Sequence, residues 1–407
     1  MKQTNRSILR SVLTLCGGIT FSLCAVADNL AMGQTTSPAT QPASGAIVPP
    51  PPAPKPGLGL SGGPNSVDGP NWLRVNNRVH GDAVMKGLFP PIKPLDANIH
   101  VRDTVIIRGG DGMYYMTGST GDDIWDHNDG VELWRSADLA KWDYVGLVWS
   151  FDKDGTWEKD WRWHRKPVRA LWAPELHYIK SKKNYFITHS MPPGGRGILK
   201  STTGKPEGPY VDALAGRAGF LDGIDGTLFE DDDGTVYYLY GGGGRIYKMK
   251  DDMSGFDGEP IQVRPADGKR TGAHEGATMF KANGRYYVGG AAGKDFPTGG
   301  RYSVVLVVAD RITGPYDNRH EAVPCGAGGN FFQDAAGTWF CAVFGNDNQA
   351  PWREMPGIVK IEFAADGKVF VAKDQPGWLL QDGAPKDWSV IGPRGTMRRP
   401  ATVPSDR

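Results

Sequence analysis

The chain has 407 residues, enough for two average domains or one large all-β domain. Its 56 glycines, 31 prolines and 10% aromatic residues fit a turn-rich β protein and weigh against a helical one. The 46 basic and 45 acidic side chains leave a formal charge of +1. That balance excludes long-range attraction to nucleic acid or to an anionic membrane surface.

The N-terminus reads as a signal peptide over 1–27. Lys2, Arg6 and Arg10 precede the apolar run SVLTLCGGITFSLCAVA, and Ala25-Val26-Ala27 offers a small-x-small cleavage site. The run is too short and too interrupted by glycine to span a bilayer, and no later stretch reaches 18 apolar residues. The expectation is a secreted or periplasmic protein with no membrane partner. Residues 28–66 include GQTTSPATQPASGAIVPPPPAPKPGLGLSGG, which has no apolar periodicity and reads as a disordered linker. Residues 67–97 read as a lead-in segment. Cys16 and Cys24 leave with the signal, so Cys325 and Cys341 are the pair that could close a small loop in an oxidising compartment. Their spacing matches no zinc site.

From about residue 98 the sequence repeats. The unit is an apolar strand, a turn with Gly or Asn, and an aromatic pair, as in GDGMYY, KKNYF, DDGTVYY, ANGRYY and AAGTWF. The first aromatics, Tyr114, Tyr185, Tyr237, Tyr286 and Trp339, are separated by 71, 52, 49 and 53 residues. Further strand-like sequence follows each hairpin, for example GVELWRSADLAKWDYVG and YSVVLVVADRITGPYD. A hairpin plus one or two strands every ~50 residues is the size of a propeller blade. The fold class expected is all-β, a five-bladed β-propeller over 98–375, with 376–407 as a tail. A β-sandwich is the alternative, but it has no reason to repeat so regularly.

A carboxylate stands ahead of four of these pairs. Asp103 lies 11 residues before Tyr114, Glu175 10 before Tyr185, Asp225 12 before Tyr237 and Glu275 11 before Tyr286. The fifth blade has Gly328, 11 before Trp339. This counting assigns all four acids to one structural position, a ring around one end of the axis. Each taken singly could cap a strand end. Together in a cleft they would push one another's pKa values apart, which is what glycoside hydrolysis needs of its acid and its base. Carboxylates around an axis also suit a Ca²⁺ ion.

The segments HVRDTVIIRGGDGMYYMTGS, WAPELHY, GIDGTLFEDDDGTVYYLYG and HEGATMFKANGRYY resemble glycoside hydrolase family 43, a group of five-bladed propellers. The resemblance covers about 280 residues. It implies Asp103 as general base, Glu275 as general acid and Asp225 as the residue that orients the acid and tunes its pKa. It implies a supporting role for Glu175, where the family more often has Asp. RDT stands where RDP is common, and EGA where EGP is common. Many relatives carry a histidine at the start of the fifth blade, associated with a central ion or water; here the segment is CGAGGNFF with Gly328. No cofactor and no metal ligand is therefore expected, and a central Ca²⁺ is in doubt.

The long first spacing holds an insertion, WSFDKDGTWEKDWRWHRKP, with Trp149, Trp157, Trp161, Trp163 and His164. Aromatic faces stack on sugar rings, although the same tryptophans could simply pack the insertion onto the propeller. Arg162, Arg165, Lys166 and Arg169 are candidates for reading an acidic or sulfated sugar. The candidate substrate-binding residues are Arg102, Trp125, His127, Trp172, Glu175 and His274. The reading is an inverting glycoside hydrolase, a monomer acting on an oligo- or polysaccharide, that removes terminal α-L-arabinofuranosyl or β-D-xylosyl units. Two alternatives stay open: a relative of the neoagarobiose hydrolases with His274 as acid, and a carbohydrate-binding propeller without catalysis.

Overall fold

In the computed structural model each apolar run, Gly-containing turn and aromatic pair forms an antiparallel hairpin. The structure describes residues 87–384 except 97, 122–126, 193, 215–222, 267, 269–272, 293–300, 347–349 and 353. The signal peptide, the linker, residues 67–86 of the lead-in, Trp125 and residues 385–407 lie outside the described residues.

Blade one comprises β1 (Arg102–Arg108), β2 (Tyr114–Ser119), β3 (Gly130–Ser136) and β4 (Asp143–Ser150). The insertion follows, with a one-turn helix α1 (Phe151–Asp154), a 3-10 turn (Trp157–Asp160) and the small hairpin β5 (Arg162–Trp163) and β6 (Lys166–Pro167). Blade two is β7 (Trp172–Ile179), β8 (Asn184–Met191), β9 (Gly195–Ser201) and β10 (Tyr210–Asp212). Blade three is β11 (Thr227–Glu230), β12 (Val236–Leu239), β13 (Arg245–Lys248) and β14 (Ile261–Gln262). Blade four is β15 (Glu275–Ala282), β16 (Arg285–Ala292), β17 (Ser303–Ala309) and β18 (Asp317–Val323). Blade five is β19 (Phe331–Gln333), β20 (Trp339–Val343), β21 (Gly357–Phe363) and β22 (Val369–Val371). Each blade is a four-stranded sheet paired in sequence order. The first strands β1, β7, β11, β15 and β19 touch one another in a closed cycle, so they line the axis. The five-bladed propeller expected from the repeat is the fold observed.

The aromatic pair has a physical reason to repeat. In blades one, two and four its first member reaches across to the hairpin turn of the preceding blade. Tyr185 Oη accepts from Gly110 N at 2.9 Å, and Tyr114 Oη accepts from Ala335 N at 2.8 Å. Tyr286 Oη donates to Asp231 Oδ2 at 2.7 Å. Each ring buries between two sheets while its hydroxyl satisfies a turn that packing would otherwise leave unpaired. Ring closure uses Asn330, whose side chain accepts from Ile106 N at 2.9 Å and donates to Ile106 O at 2.8 Å. Lead-in and tail meet beside blade five, where Ile92 bridges Leu380 and both are buried.

Cys325 and Cys341 are buried thiols rather than a disulfide. The insertion is anchored rather than splayed. Trp149 and Trp157 stack on the buried His189, whose Nε2 lies 3.2 Å from Glu158 Oε1, and Trp161 Nε1 donates to Pro192 O at 2.6 Å. Trp163 alone of these four stays exposed, at 39%.

Candidate active site

At the end of the axis where the inner strands begin, the backbone repeats one bend. Asp103 (φ 52°), Ala173 (45°), Asp225 (58°), Gly276 (62°) and Gly328 (97°) all take the left-handed conformation. The pairing slips there. Arg102 faces Ser119 but Val105 faces Thr117; Trp172 faces Ser190 but Glu175 faces Thr188; Glu275 faces Ala291 but Thr278 faces Gly289. A bulge of this kind re-aims a side chain out of the sheet, here toward the axis.

This register corrects the single-position ring. Asp103 and Asp225 occupy the left-handed residue itself, Glu275 precedes it by one, and Glu175 follows Ala173 by two. Counting back from the aromatic pair cannot see a bulge or a change in turn length, and both vary between blades. Even from their offset positions the two glutamates lie close enough for their charges to raise both Asp103 and Asp225.

The left-handed residues are tied blade to blade. Ser119 Oγ donates to Asp103 Oδ2 at 2.8 Å and accepts from Ala173 N of the next blade at 2.8 Å. Ser190 Oγ accepts from Asp225 N at 2.8 Å, and Asp225 Oδ2 accepts from Gly276 N at 2.7 Å. Three successive blades thus fix the next blade's bend through a side chain of their own. A bent residue costs of order 1–3 kcal/mol if unsupported, so these bonds keep the carboxylates in place.

The electrostatics divide the acids. Burial pushes the Asp225 carboxyl well above the usual range, and the charges of Asp103, Glu275 and Glu175 push it further. Burial also raises Asp103; the Arg102 guanidinium and the Ser119 hydroxyl pull against that, while Glu275 and Glu175 add to it. Burial works upward on Glu275 too, but His274, the Tyr302 hydroxyl and Arg102 outweigh it and hold the carboxyl below its usual range. Tyr302 Oη donates to Glu275 Oε1, and His274 Nε2 stands 3.5 Å from the same oxygen. Burial thus favours the protonated form of both aspartates, while the donors around it and the Arg102 charge favour the ionised form of Glu275. Groups driven apart in this way are what acid–base division requires.

Of the candidate binding residues, Arg102 and Glu175 are buried beside this cluster and Trp172 is partly buried at the start of β7. Glu175 Oε2 lies 3.5 Å from His177 Nε2. His274 is about half exposed at the mouth. His127 is exposed, and its backbone bridges Arg169 beside the insertion. Arg169 is engaged by Asp152 and Asp129, whereas Arg165 and Lys166 stand exposed at the β5–β6 turn. Sequence reasoning missed Ser119, Ser190, Tyr302 and the fully buried Arg196, which sits 3.5 Å over the Tyr240 ring. The two serines had a signal, since each lies five residues after the first aromatic of its blade. Tyr302 had none.

The sequence profile described as Glycosyl hydrolases family 43 matches residues 96–369. A β-D-galactofuranosidase of Aspergillus niger is 34% identical over 189 residues, 42% of this chain and 51% of that protein. A putative β-xylosidase of Escherichia coli is 25% identical over 344 residues, 75% of this chain and 59% of that protein. The chain thus spans little more than half the length of these curated relatives. A solved thermostable family-43 glycoside hydrolase shares the fold at 19% identity with a TM-score of 0.52, covering 70% of this chain and 96% of that one.

Proposed function

The chain belongs to glycosyl hydrolase family 43, and on that footing we propose that it is an inverting exo-glycosidase with Asp103 as base, Glu275 as acid and Asp225 as the acid's tuner. The observation that carries this reading is the Asp225 carboxylate. It accepts from Gly276 N, next to the acid, while its own backbone is held by Ser190. It sits where it can set both the orientation and the protonation of Glu275.

Without substrate the surroundings favour the anion at Glu275 and the protonated form at Asp103, the reverse of the working state, so substrate has to change both. A sugar covering the half-exposed His274 would strip water from Glu275 and add to the burial that already favours its protonated form. In the working state the proton favoured at Asp103 would have passed to Glu275; it then goes to the departing glycosidic oxygen while the ionised Asp103 takes a proton from the attacking water on the opposite face. Inversion by this route places the two carboxyls about 6.5–9.5 Å apart. NMR of the first-formed sugar should show the inverted anomer; retention would rule the route out.

The sugar proposed is a terminal α-L-arabinofuranosyl or β-D-xylosyl unit of plant or algal polysaccharide. The Aspergillus relative adds β-D-galactofuranosyl, whose ring carbons share the configuration of α-L-arabinofuranose. A panel of aryl α-L-arabinofuranoside, β-D-xyloside and β-D-galactofuranoside ranks the three. The general acid matters most when the leaving oxygen is basic. Glu275→Gln should lose roughly 10²–10⁴-fold on natural linkages and far less on a dinitrophenyl glycoside. Equal damage on both would remove Glu275 from the role. We also propose export through residues 1–27, which N-terminal sequencing of the secreted chain checks.

A further inference from the structure

Four carboxylates at one axis need a balancing charge, and the family resemblance offers a central metal ion for it. The fifth blade does not accommodate one. A Cβ at Gly328 would stand 1.9 Å from Phe344 Cε1 and 2.7 Å from its Cζ, so the fully buried Phe344 ring fills the space of any side-chain ligand there. Among the described residues no group of three or more His, Cys, Asp or Glu is arranged to hold a metal ion.

What stands against that ring is Arg102, itself 5% exposed. Its guanidinium carbon lies 5.1 Å from the centre of Phe344. Nη1 donates to Asn346 Oδ1 and to Glu354 Oε1, each at 3.0 Å. The second oxygen of Glu354 lies 2.6 Å from His100 Nε2, and Val101 N donates to Glu354 O at 3.0 Å, so the clamp also fixes the backbone leading into Asp103. A guanidinium keeps its charge at every working pH and cannot be chelated.

We propose that Arg102 is the resident cation of the carboxylate ring, clamped by Glu354, Asn346 and Phe344 in the role a metal ion would otherwise fill. It is a positioning residue, acting on the reaction through Asp103 and Glu275. The charged and titratable groups that face this pair are Arg102, Glu175, Asp225, His274 and Tyr302, with His100 and Glu354 behind the guanidinium. Both Asp103 and Glu275 are favoured as anions by Arg102. Its loss raises both, so both limbs of the pH–rate bell move upward together. A lost structural contact would lower the bell without moving it.

The pH arm rests on the acid–base reading above; the metal arm does not. On the full chain, metal analysis should find less than one equivalent, and exhaustive EDTA treatment followed by added Ca²⁺ should change neither kcat/KM nor Tm. Arg102→Met should displace both limbs upward by roughly one pH unit, the low end for loss of a neighbouring cation. Arg102→Lys should return most of that displacement. Because removing one partner strands a buried Glu354, the double variant Arg102→Met/Glu354→Gln gives a relieved background in which the upward shift should persist at smaller size, the offsetting Glu354 charge having gone too. A stoichiometric metal whose removal abolishes activity overturns the proposal, as does a bell that falls in place in every folded variant. If Glu275→Gln fails its leaving-group test while the bell still moves with Arg102, the role assignment is wrong and the cation stands.

Discussion

Asp103 opens blade one and Gly328 opens blade five on the same left-handed bend, with φ of 52° and 97°. One presents a carboxylate to the axis and the other presents nothing. The neighbours explain the difference. Beside Asp103 stands Ser119, whose hydroxyl donates to the carboxylate and supports the next blade. Beside Gly328 stands the Phe344 ring, packed where a side chain would go. The propeller repeats its backbone and leaves the content of each position to whatever packs against it. An acidic side chain thus has a place at blade one, and at blade five an arginine resting on an aromatic face answers it.

The largest effect expected of this contrast lies at Asp103. Asp103→Asn keeps a residue that tolerates the left-handed bend, so the fold should persist. The amide cannot take a proton from water, and kcat/KM should fall by roughly 10²–10⁴-fold. The loss should be as severe on a dinitrophenyl glycoside as on a natural linkage, unlike that of Glu275→Gln. A variant within tenfold of the parent would show that blade one does not supply the base.

At blade five the expected effect is on stability. Gly328→Ala drives a methyl into Phe344 at a bend that favours glycine. Overpacking of this kind costs typically 1–3 kcal/mol, and the bend adds about 1 kcal/mol. Chemical denaturation should show that loss, and Gly328→Ala/Phe344→Leu should recover part of it. An unchanged midpoint would mean that Phe344 moves aside freely and that the fifth position is open to a ligand after all.

How far the sequence spoke for this structure follows from the same contrast. The five hairpins were legible because a buried aromatic pair and a glycine turn are local patterns, and Tyr114, Tyr185 and Tyr286 carry them for an identifiable reason. The carboxylates were legible as residues but not as geometry, because the bulges that offset Glu175 and Glu275 from Asp103 and Asp225 depend on pairing with the second strand. The fill at Gly328 comes from Phe344, 16 positions away in a different strand's exit. The clamp on Arg102 comes from Glu354, 252 positions away. Nothing periodic announces either. Tyr302, which ends the β16–β17 connection beside the acid, belongs to the same class.

Tyr302 gives the finest test of how the acid differs from the base. Its hydroxyl donates to Glu275 Oε1, a bond that is worth more when the carboxyl is ionised. Asp103 receives its hydrogen bond from Ser119 and is still raised by burial; Glu275 receives two and is held low. An acid must be protonated to act, so in the substrate complex, where the proposed cycle puts the proton on Glu275 and the charge on Asp103, its pKa appears on the basic limb of the kcat–pH profile. Tyr302→Phe removes a donor to the anion, the Glu275 pKa rises, and the basic limb moves to higher pH. A hydrogen bond to a charged group contributes about 1.5–3 kcal/mol, which sets a shift of about one to two units as the upper bound. The acidic limb, which reports Asp103, should stay within a few tenths of a unit. The same variant should lose a little rate at its own optimum on natural linkages, because the anion left on Glu275 after proton transfer is less stabilised, and none on a dinitrophenyl glycoside. A basic limb that stays put while the rate falls equally on both substrates would reduce Tyr302 to a packing residue at the mouth.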